Sequence, residues 1–413
     1  MQKRVHTEPA PLPAARFLDR RTPPHLFTLV LAAATSALAM NIFLPSLPGM
    51  ARYFEADYAV AQLAVSLYLA ATAVLQLFIG PLSDRYGRRP VMLACFLIFM
   101  VSTVLAIFAP TIEALLVCRV MQAFSAAGIV LSRAIVRDTV DTAEAASRIG
   151  YVTMGMAVAP MVGPMIGGVL DELYGWQAAF VVTFGFATLS FSMVYFDLGE
   201  TNRSQSASLT AQFHAYPELA RSRRFWGYVL TAAFTSGAFF AFLGGGPYVA
   251  TEILGMSPSG YGLYFALISG GYMFGNFLAA RYSTRVGLNR MMLSGNIVCT
   301  LGGLACFVMF GAGLYHPISL FAPAMLMGVG NGLTLPNAIA GMVSMRPHLA
   351  GSASGLGGSL QIGGGAVLSV LAGALLGPDT GPYPLVWVML LSSLAAVAAT
   401  VWVIQVARRR GEA

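Results

Sequence analysis

The chain has 413 residues, of which 57% are hydrophobic and only 10% charged, with a formal net charge of +7 and a mean hydropathy of +0.71. A soluble domain carries roughly 25% charged residues, so neither a soluble enzyme nor a soluble domain on a single anchor fits. Apolar stretches of about 20 residues or longer, enough to cross a hydrocarbon core of roughly 30 Å, run nearly end to end.

In chain order these stretches predict twelve helices, at 25–50, 58–80, 90–110, 113–137, 147–170, 176–197, 224–250, 259–283, 290–314, 317–344, 350–377 and 382–407. Residues 1–24 carry five prolines and scattered charge. They lack the compact apolar core and small-residue cleavage site of a signal peptide, and are expected as a disordered tail. Helix 1 contains Asn41-Ile42-Phe43-Leu44-Pro45-Ser46-Leu47-Pro48. Helix 2 contains Tyr68 and runs into the densest charge of the chain, Gly80-Pro81-Leu82-Ser83-Asp84-Arg85-Tyr86-Gly87-Arg88-Arg89-Pro90. Helix 4 holds Arg119 and Gln122 and closes on Arg137-Asp138. Helix 5 carries Met154, Met156, a stripe of small residues (Gly155, Ala159, Gly163, Gly167) and the run Ala159-Pro160-Met161-Val162-Gly163-Pro164-Met165-Ile166-Gly167-Gly168. Trp176 and Phe180 open helix 6, and Glu200-Thr201 follow it.

Residues 198–223 are the long hydrophilic interruption, dividing a first unit, 25–197, from a second, 224–407, with a short basic tail at 408–413. The second unit places Phe239 and Phe240 in helix 7, Tyr264, Tyr272 and Asn276 in helix 8, and Asn331 and Asn337 in helix 10. Helix 11 has Gln361 and another small stripe, Gly351, Gly355, Ser359 and Gly363. Thr284-Arg285-Val286-Gly287, followed by Met292-Leu293, repeats Asp84-Arg85-Tyr86-Gly87, followed by Met92-Leu93. The expected fold is an all-α membrane protein of twelve transmembrane helices in two pseudo-symmetric six-helix bundles. Two similar halves with a site between them describe a secondary transporter better than a channel or an enzyme, and small stripes let helix backbones approach closely in lipid.

The charge reports topology. Lys3, Arg4, Arg16, Arg20 and Arg21, then Arg85, Arg88 and Arg89, then Arg137, Arg148, Arg203, Arg221, Arg223 and Arg224, then Arg281, Arg285, Arg290, Arg346 and Arg408 to Arg410 fall on one side. The opposite loops hold Arg52 with Asp171, Glu172, Glu252 and Asp379. This positive-inside pattern puts both termini and the central loop in the cytoplasm. Cys95, Cys118, Cys299 and Cys306 lie within apolar segments as packing thiols, and the five histidines show no ligand spacing. No metal, cofactor or nucleic-acid partner is expected, and no nucleophile–base set suggests catalysis.

The loop after helix 2, the Arg119-Val120-Met121-Gln122 run ending in Arg137-Asp138, the Pro160–Gly168 run and the Asn41–Pro48 run together resemble the major facilitator superfamily. Within it they most closely resemble drug:proton antiporters of the Bcr/CflA type, and Trp176, Phe180 and Glu200-Thr201 fit as well. The resemblance spans nearly the whole chain. It implies a monomeric drug exporter of the bacterial inner membrane, trading a lipophilic small molecule for protons by alternating access. It also implies a gating set of Gly80, Asp84, Arg85, Gly87, Arg88, Asp138, Pro160, Gly163, Pro164 and Gly167.

Three residues carry the sharper expectations. Arg88 can pair with Asp138, either as a latch that shuts the cytoplasmic side or as an ordinary surface ion pair worth about 0–1 kcal/mol. Arg119, some six residues inside helix 4, either faces a polar cavity or snorkels to the outer interface. Asn41 stands where the resembling proteins have an aspartate, and an amide cannot titrate. Either it is an engineered neutralisation, or coupling runs through a peripheral carboxylate, or the protein is an uncoupled facilitator. A cavity for amphiphilic ligands is expected from Asn41, Tyr68, Arg119, Gln122, Met154, Phe239, Phe240, Tyr264, Tyr272, Asn331 and Gln361, with Asn276 and Asn337 as further candidates or interhelical glue. A metabolite exporter and a transport-inactive receptor are the rival readings.

Overall fold

A computed structural model describes residues 16–140, 142–202, 211–345 and 350–409. The expectations on residues 1–15, Arg203, Arg346 and Arg410 fall outside them. Among the described residues twelve helices are long and apolar enough to cross a membrane. They are helix 1, Leu26–Tyr53; helix 2, Tyr58–Tyr86; helix 3, Arg88–Ile107; helix 4, Ile112–Thr139; helix 5, Ser147–Tyr174; and helix 6, Gln177–Asp197. The second half gives helix 7, Arg223–Ile253; helix 8, Pro258–Val286; helix 9, Leu288–Gly311; helix 10, Pro317–Ser344; helix 11, Ser352–Leu375; and helix 12, Tyr383–Arg408.

The hydropathy pattern predicts unbroken helices over 25–50 and 113–137, whereas both are interrupted. Pro45 and Pro48 lack a backbone N–H, and helix 1 passes from Leu26–Asn41 through a 3-10 turn, Leu44–Ser46, into Leu47–Tyr53. Helix 4 has a 3-10 turn at Ala123–Ser125, and helix 2 is offset at Gln62. The hydrophilic stretch 198–223 is more than a connector: a helix, Ala211–Ala220, lies within it.

The repeated turn has the same geometry in both halves. Gly87 has φ 100° and Gly287 φ 90°, the left-handed region that disfavours a side chain. Their N–H groups donate to Ser83 O and Ser283 O at 3.0 and 2.9 Å, closing helices 2 and 8. We call the end of the molecule that carries these turns the basic end, and the end with Arg52, Asp171, Glu172 and Glu252 the acidic end.

The apolar core is distributed unevenly between the two ends. Toward the acidic end one cluster joins both halves, running from Phe43, Leu47 and Leu115 to Phe242, Phe265, Phe321 and Met389. Toward the basic end the halves keep separate cores, one around Met92, Phe96 and Ile135, the other around Phe225, Tyr228 and Met342.

Helix backbones show the same division. A Cβ on Gly168 of helix 5 would collide with the main chain of Pro258, whereas at Gly150, on the same face five turns or about 27 Å farther in, it would meet nothing within 4 Å. Helix 11 repeats the contrast: Gly373 is pressed against Gln62 of helix 2, and Gly355, again five turns away, faces open space. The halves are therefore closed on each other at the acidic end and parted at the basic end.

Candidate functional site

The site begins with a buried arginine. Arg119 is 1% exposed, so it does not snorkel. Its Nε donates to Ala64 O at 2.9 Å, and its Nη1 donates to Ala39 O at 3.3 Å and to Gln122 Oε1 at 2.5 Å. The guanidinium lies 4.2 Å from the Phe43 ring centroid and 4.5 Å from that of Tyr68. Ala39 precedes the break in helix 1, Ala64 follows the offset in helix 2, and Gln122 precedes the 3-10 turn of helix 4. Irregular backbone inside a membrane protein needs donors and acceptors from its neighbours, and Arg119 supplies donors where three irregular stretches meet. Gln122 passes the network to Thr103 of helix 3 at 3.0 Å, and the Tyr68 hydroxyl meets Ser36 and Ser125 at 3.1 and 2.9 Å.

Asn41 is fully buried beside this network. Its Nδ2 donates to Ala37 O at 2.7 Å, and its Oδ1 has no partner. Helix 1 thus presents an unpaired acceptor, and Arg119 Nη2 is an unpaired donor.

The second half offers an aromatic wall. Phe239 and Tyr264 are partly exposed; Phe239 contacts Phe240 and Phe265 at ring distances of 5.9 and 6.4 Å, and Tyr264 contacts Phe321 at 5.3 Å. Tyr272 and Gln361 are also partly exposed.

Three expected ligand residues belong elsewhere. Phe240 is buried against Gly365 of helix 11. Asn331 is 3% exposed and donates to Met327 O at 3.0 Å, facing Cys299 of helix 9, and Asn337 likewise donates to Leu333 O at 2.7 Å. Both amides serve packing inside the second half. Met154 is 62% exposed, one turn beyond Gly150 on helix 5, and continues the row of exposed Val158, Val162 and Ile166 at one-turn spacing.

The helix 5 stripe also divides by face. Gly155, Gly163 and Gly167 pack on Val30, Leu38 and Ile42 of helix 1, within the first half. The join is made by main chain at Pro160, Pro164 and Gly168: Pro164 faces Gly262, and Pro160 O accepts from Ser269 Oγ at 3.4 Å. On helix 11 the stripe does reach across, with Ser359 Oγ donating to Ala73 O at 2.5 Å.

At the basic end Arg88 Nε meets Asp138 Oδ2 at 2.9 Å, and Arg88 Nη1 meets Asp84 Oδ1 at 2.5 Å. All three residues belong to the first half, and the pair is formed while the halves stand apart, so by itself it joins nothing across them. Arg85 is exposed over Tyr86, and Gly80 faces open space. The segment after helix 6 braces this turn. Glu200 accepts from the Arg88 and Arg89 N–H groups at 2.9 and 3.2 Å, at the start of helix 3, where partial positive charge favours a carboxylate. Asn202 Nδ2 donates to Asp84 O at 2.7 Å at the end of helix 2. Glu200 also fills the space a Cβ on Gly87 would need.

Across the acidic end Arg52 pairs with Glu252 at 2.6 Å, Glu172 accepts from Ser259 N–H at 3.0 Å, and the Tyr58 hydroxyl donates to Gly244 O at 2.7 Å. These links are invisible to hydropathy, since each joins residues far apart in sequence.

Arg133 was not among the expected site residues. It lies in helix 4 one turn before Arg137, on a partly exposed face with Ile129 and Val130, and its electrostatic neighbours are Arg137 and the Tyr272 phenol of helix 8. Its position inside an apolar helix was the available signal.

Comparison with known proteins agrees with this architecture. The sequence model described as "Major Facilitator Superfamily" matches residues 29–361 and 243–413. Multidrug resistance protein D of Escherichia coli (strain K12) is 32% identical over 374 residues, covering 90% of this chain and 93% of that protein. The bicyclomycin resistance protein homolog of Haemophilus influenzae is 26% identical over 355 residues, covering 85% and 89%. Among solved structures, a bacterial homolog to the human lysosomal transporter Spinster, inward-facing and occupied, superposes with a TM-score of 0.70 over 93% of this chain and 96% of that one, at 16% identity.

Proposed function

The chain belongs to the major facilitator superfamily, and from that premise we propose that it exports small, moderately lipophilic compounds across a bacterial inner membrane by alternating access, in exchange for protons. It is a multi-pass transporter and not an enzyme. The observation that carries the reading is the split core, shared by both halves at the acidic end and separate at the basic end. Alternating access needs two states in which the halves part at opposite ends, and an arrangement joined at one end and parted at the other supports it. The excess of arginine at the basic end supports a cytoplasmic position for that end and for both termini, so the parted halves would receive cargo from inside. Relatives named for multidrug and bicyclomycin resistance support a drug-like cargo.

Proton exchange needs a carboxylate that both sides of the membrane can reach in turn, and residue 41 is an amide. The reading assigns that role to Asp171, which sits at the acidic end of helix 5 against Ser46 and Gly49 of helix 1, just past the break. Efflux of a drug panel from inverted vesicles under an imposed pH gradient tests both parts. Wild type should show pH-driven flux, Asp171→Asn should lose the pH dependence, and Asn41→Asp should add a second titrating site. Binding without flux of any compound would sink the export reading.

A further inference from the structure

We infer that the space between the halves selects lipophilic organic anions, such as aromatic carboxylates and sulfonates, over cations, with Arg133 as the residue that meets the anionic group. The inference rests on the export reading and names its cargo class. Every described carboxylate lies in a loop or within about one turn of a helix end. Those nearest the open end are engaged: Asp84 and Asp138 with Arg88, Glu144 with Arg148 at 2.7 Å, Glu200 with the start of helix 3. Asp197 is buried and accepts from Thr28 and the N–H groups of Leu18 and His25.

Two guanidiniums sit deeper than these carboxylates. Arg119 is ringed by carbonyls, an amide and two aromatic faces, with Nη2 unpaired. Arg133, among the described residues, has neither a hydrogen bond nor an ion pair. The Tyr272 phenol of helix 8, in the opposite half, is among its electrostatic neighbours. A charge held in the membrane region without a counter-charge is costly, and the cost falls when a ligand brings the opposite charge. Asn41 is neutral, and helix 1, Leu26–Tyr53, brings no carboxylate to this region that would attract a cation. The opposite wall, with Phe239, Tyr264 and Tyr272, suits an aromatic body. Guanidinium also matches the two oxygens of a carboxylate or sulfonate better than an ammonium does.

The test is a charge series on one skeleton. 2-Naphthalenesulfonate, neutral 2-naphthalenesulfonamide and 2-naphthylmethylammonium are titrated calorimetrically into the full chain in a neutral maltoside detergent. The anion should bind about tenfold tighter than the neutral compound and the cation about tenfold weaker, as one unscreened charge contact implies. Arg133→Gln should bring the anion-to-neutral ratio to about one, and Arg133→Lys should retain part of it. A cation that binds as tightly as the anion would overturn the inference without any variant, as would an unchanged ratio in a monodisperse Arg133→Gln protein. Binding of the neutral compound with no charge preference leaves the export reading standing and removes this one. If no member of the series binds, the cavity itself is refuted and both readings fall.

Discussion

Arg52 and Glu252 hold each other at 2.6 Å across the join between the halves, helix 1 to helix 7, with side chains 66% and 39% exposed. An exposed pair of this kind is worth about 0–1 kcal/mol, so it biases the closed acidic end without locking it. Arg52→Glu should shift the population toward acidic-end opening by up to about fivefold, and the swap Arg52→Glu with Glu252→Arg should restore it. Spin-label distances between the acidic ends of helices 1 and 7 report the shift, and an unmoved distribution would show that the pair contributes nothing.

Arg119 serves architecture before it serves cargo. Arg119→Ala removes the bonds to Ala39 O, Ala64 O and Gln122 Oε1 in a buried setting, a loss of about 3 kcal/mol or more. A large fall in melting temperature in detergent is expected. Arg119→Lys should fall between the two, because an ammonium cannot copy the planar fork. Wild-type melting in Arg119→Ala would refute the bracing role.

Two glycines with similar collisions should behave differently. A Cβ at Gly128 runs into the main chain of Ala32 inside the first half, and a Cβ at Gly168 runs into Pro258 across the join. Gly128→Val should destabilise the fold by about 1–3 kcal/mol, as overpacking does. Gly168→Val should leave the fold intact and abolish closure of the acidic end, read as lost transport with a near-normal melting curve. Equal losses of stability in both would contradict the division between half and join.

Asp197 ties down the segment that precedes helix 1. This buried last residue of helix 6 accepts from Leu18 N–H at 2.6 Å, His25 N–H at 2.8 Å and Thr28 Oγ1 at 2.6 Å. It supplies from a distance the acceptor that an N-cap supplies locally, and Asp197→Ala should cost about 1–2 kcal/mol. Arg20 lies 4.4 Å over the Tyr195 ring in the same patch. Trypsin should cut after Arg20 or Arg21 slowly in wild type and readily in Asp197→Ala. Equal cleavage rates would mean that the segment is held some other way.

The helix count, their order and the repeated turn were legible because the lipid solvent writes them into hydropathy, and because Gly87 and Gly287 mark a backbone conformation few residues tolerate. Arg88 with Asp138 was legible from two charges placed at matching helix ends. The breaks in helices 1, 2 and 4 were not, since the guanidinium that bonds beside all three, from Ala39 O and Ala64 O to Gln122 Oε1, is set by tertiary packing and leaves no mark in hydropathy. The face of a helical residue was equally hidden: Asn331 has the chemistry of a ligand contact, yet it turns toward helix 9. Arg133 escaped attention because the lone charges on either side of it, Arg119 and Arg137, fitted recognised motifs.

The open faces at Gly150 and Gly355 have a bearing on how mutational data for this protein should be collected. A Cβ added at either position meets nothing within 4 Å while the basic end is parted, so a heat-stability screen of purified protein should score a larger residue there as harmless. In the cycle proposed above the same residue would meet the opposing helix when the basic end shuts, and would arrest transport there. Transport assays and melting curves should therefore disagree at these two glycines and agree at Gly128, which turns a pair of silent positions into a detector for closure of the basic end.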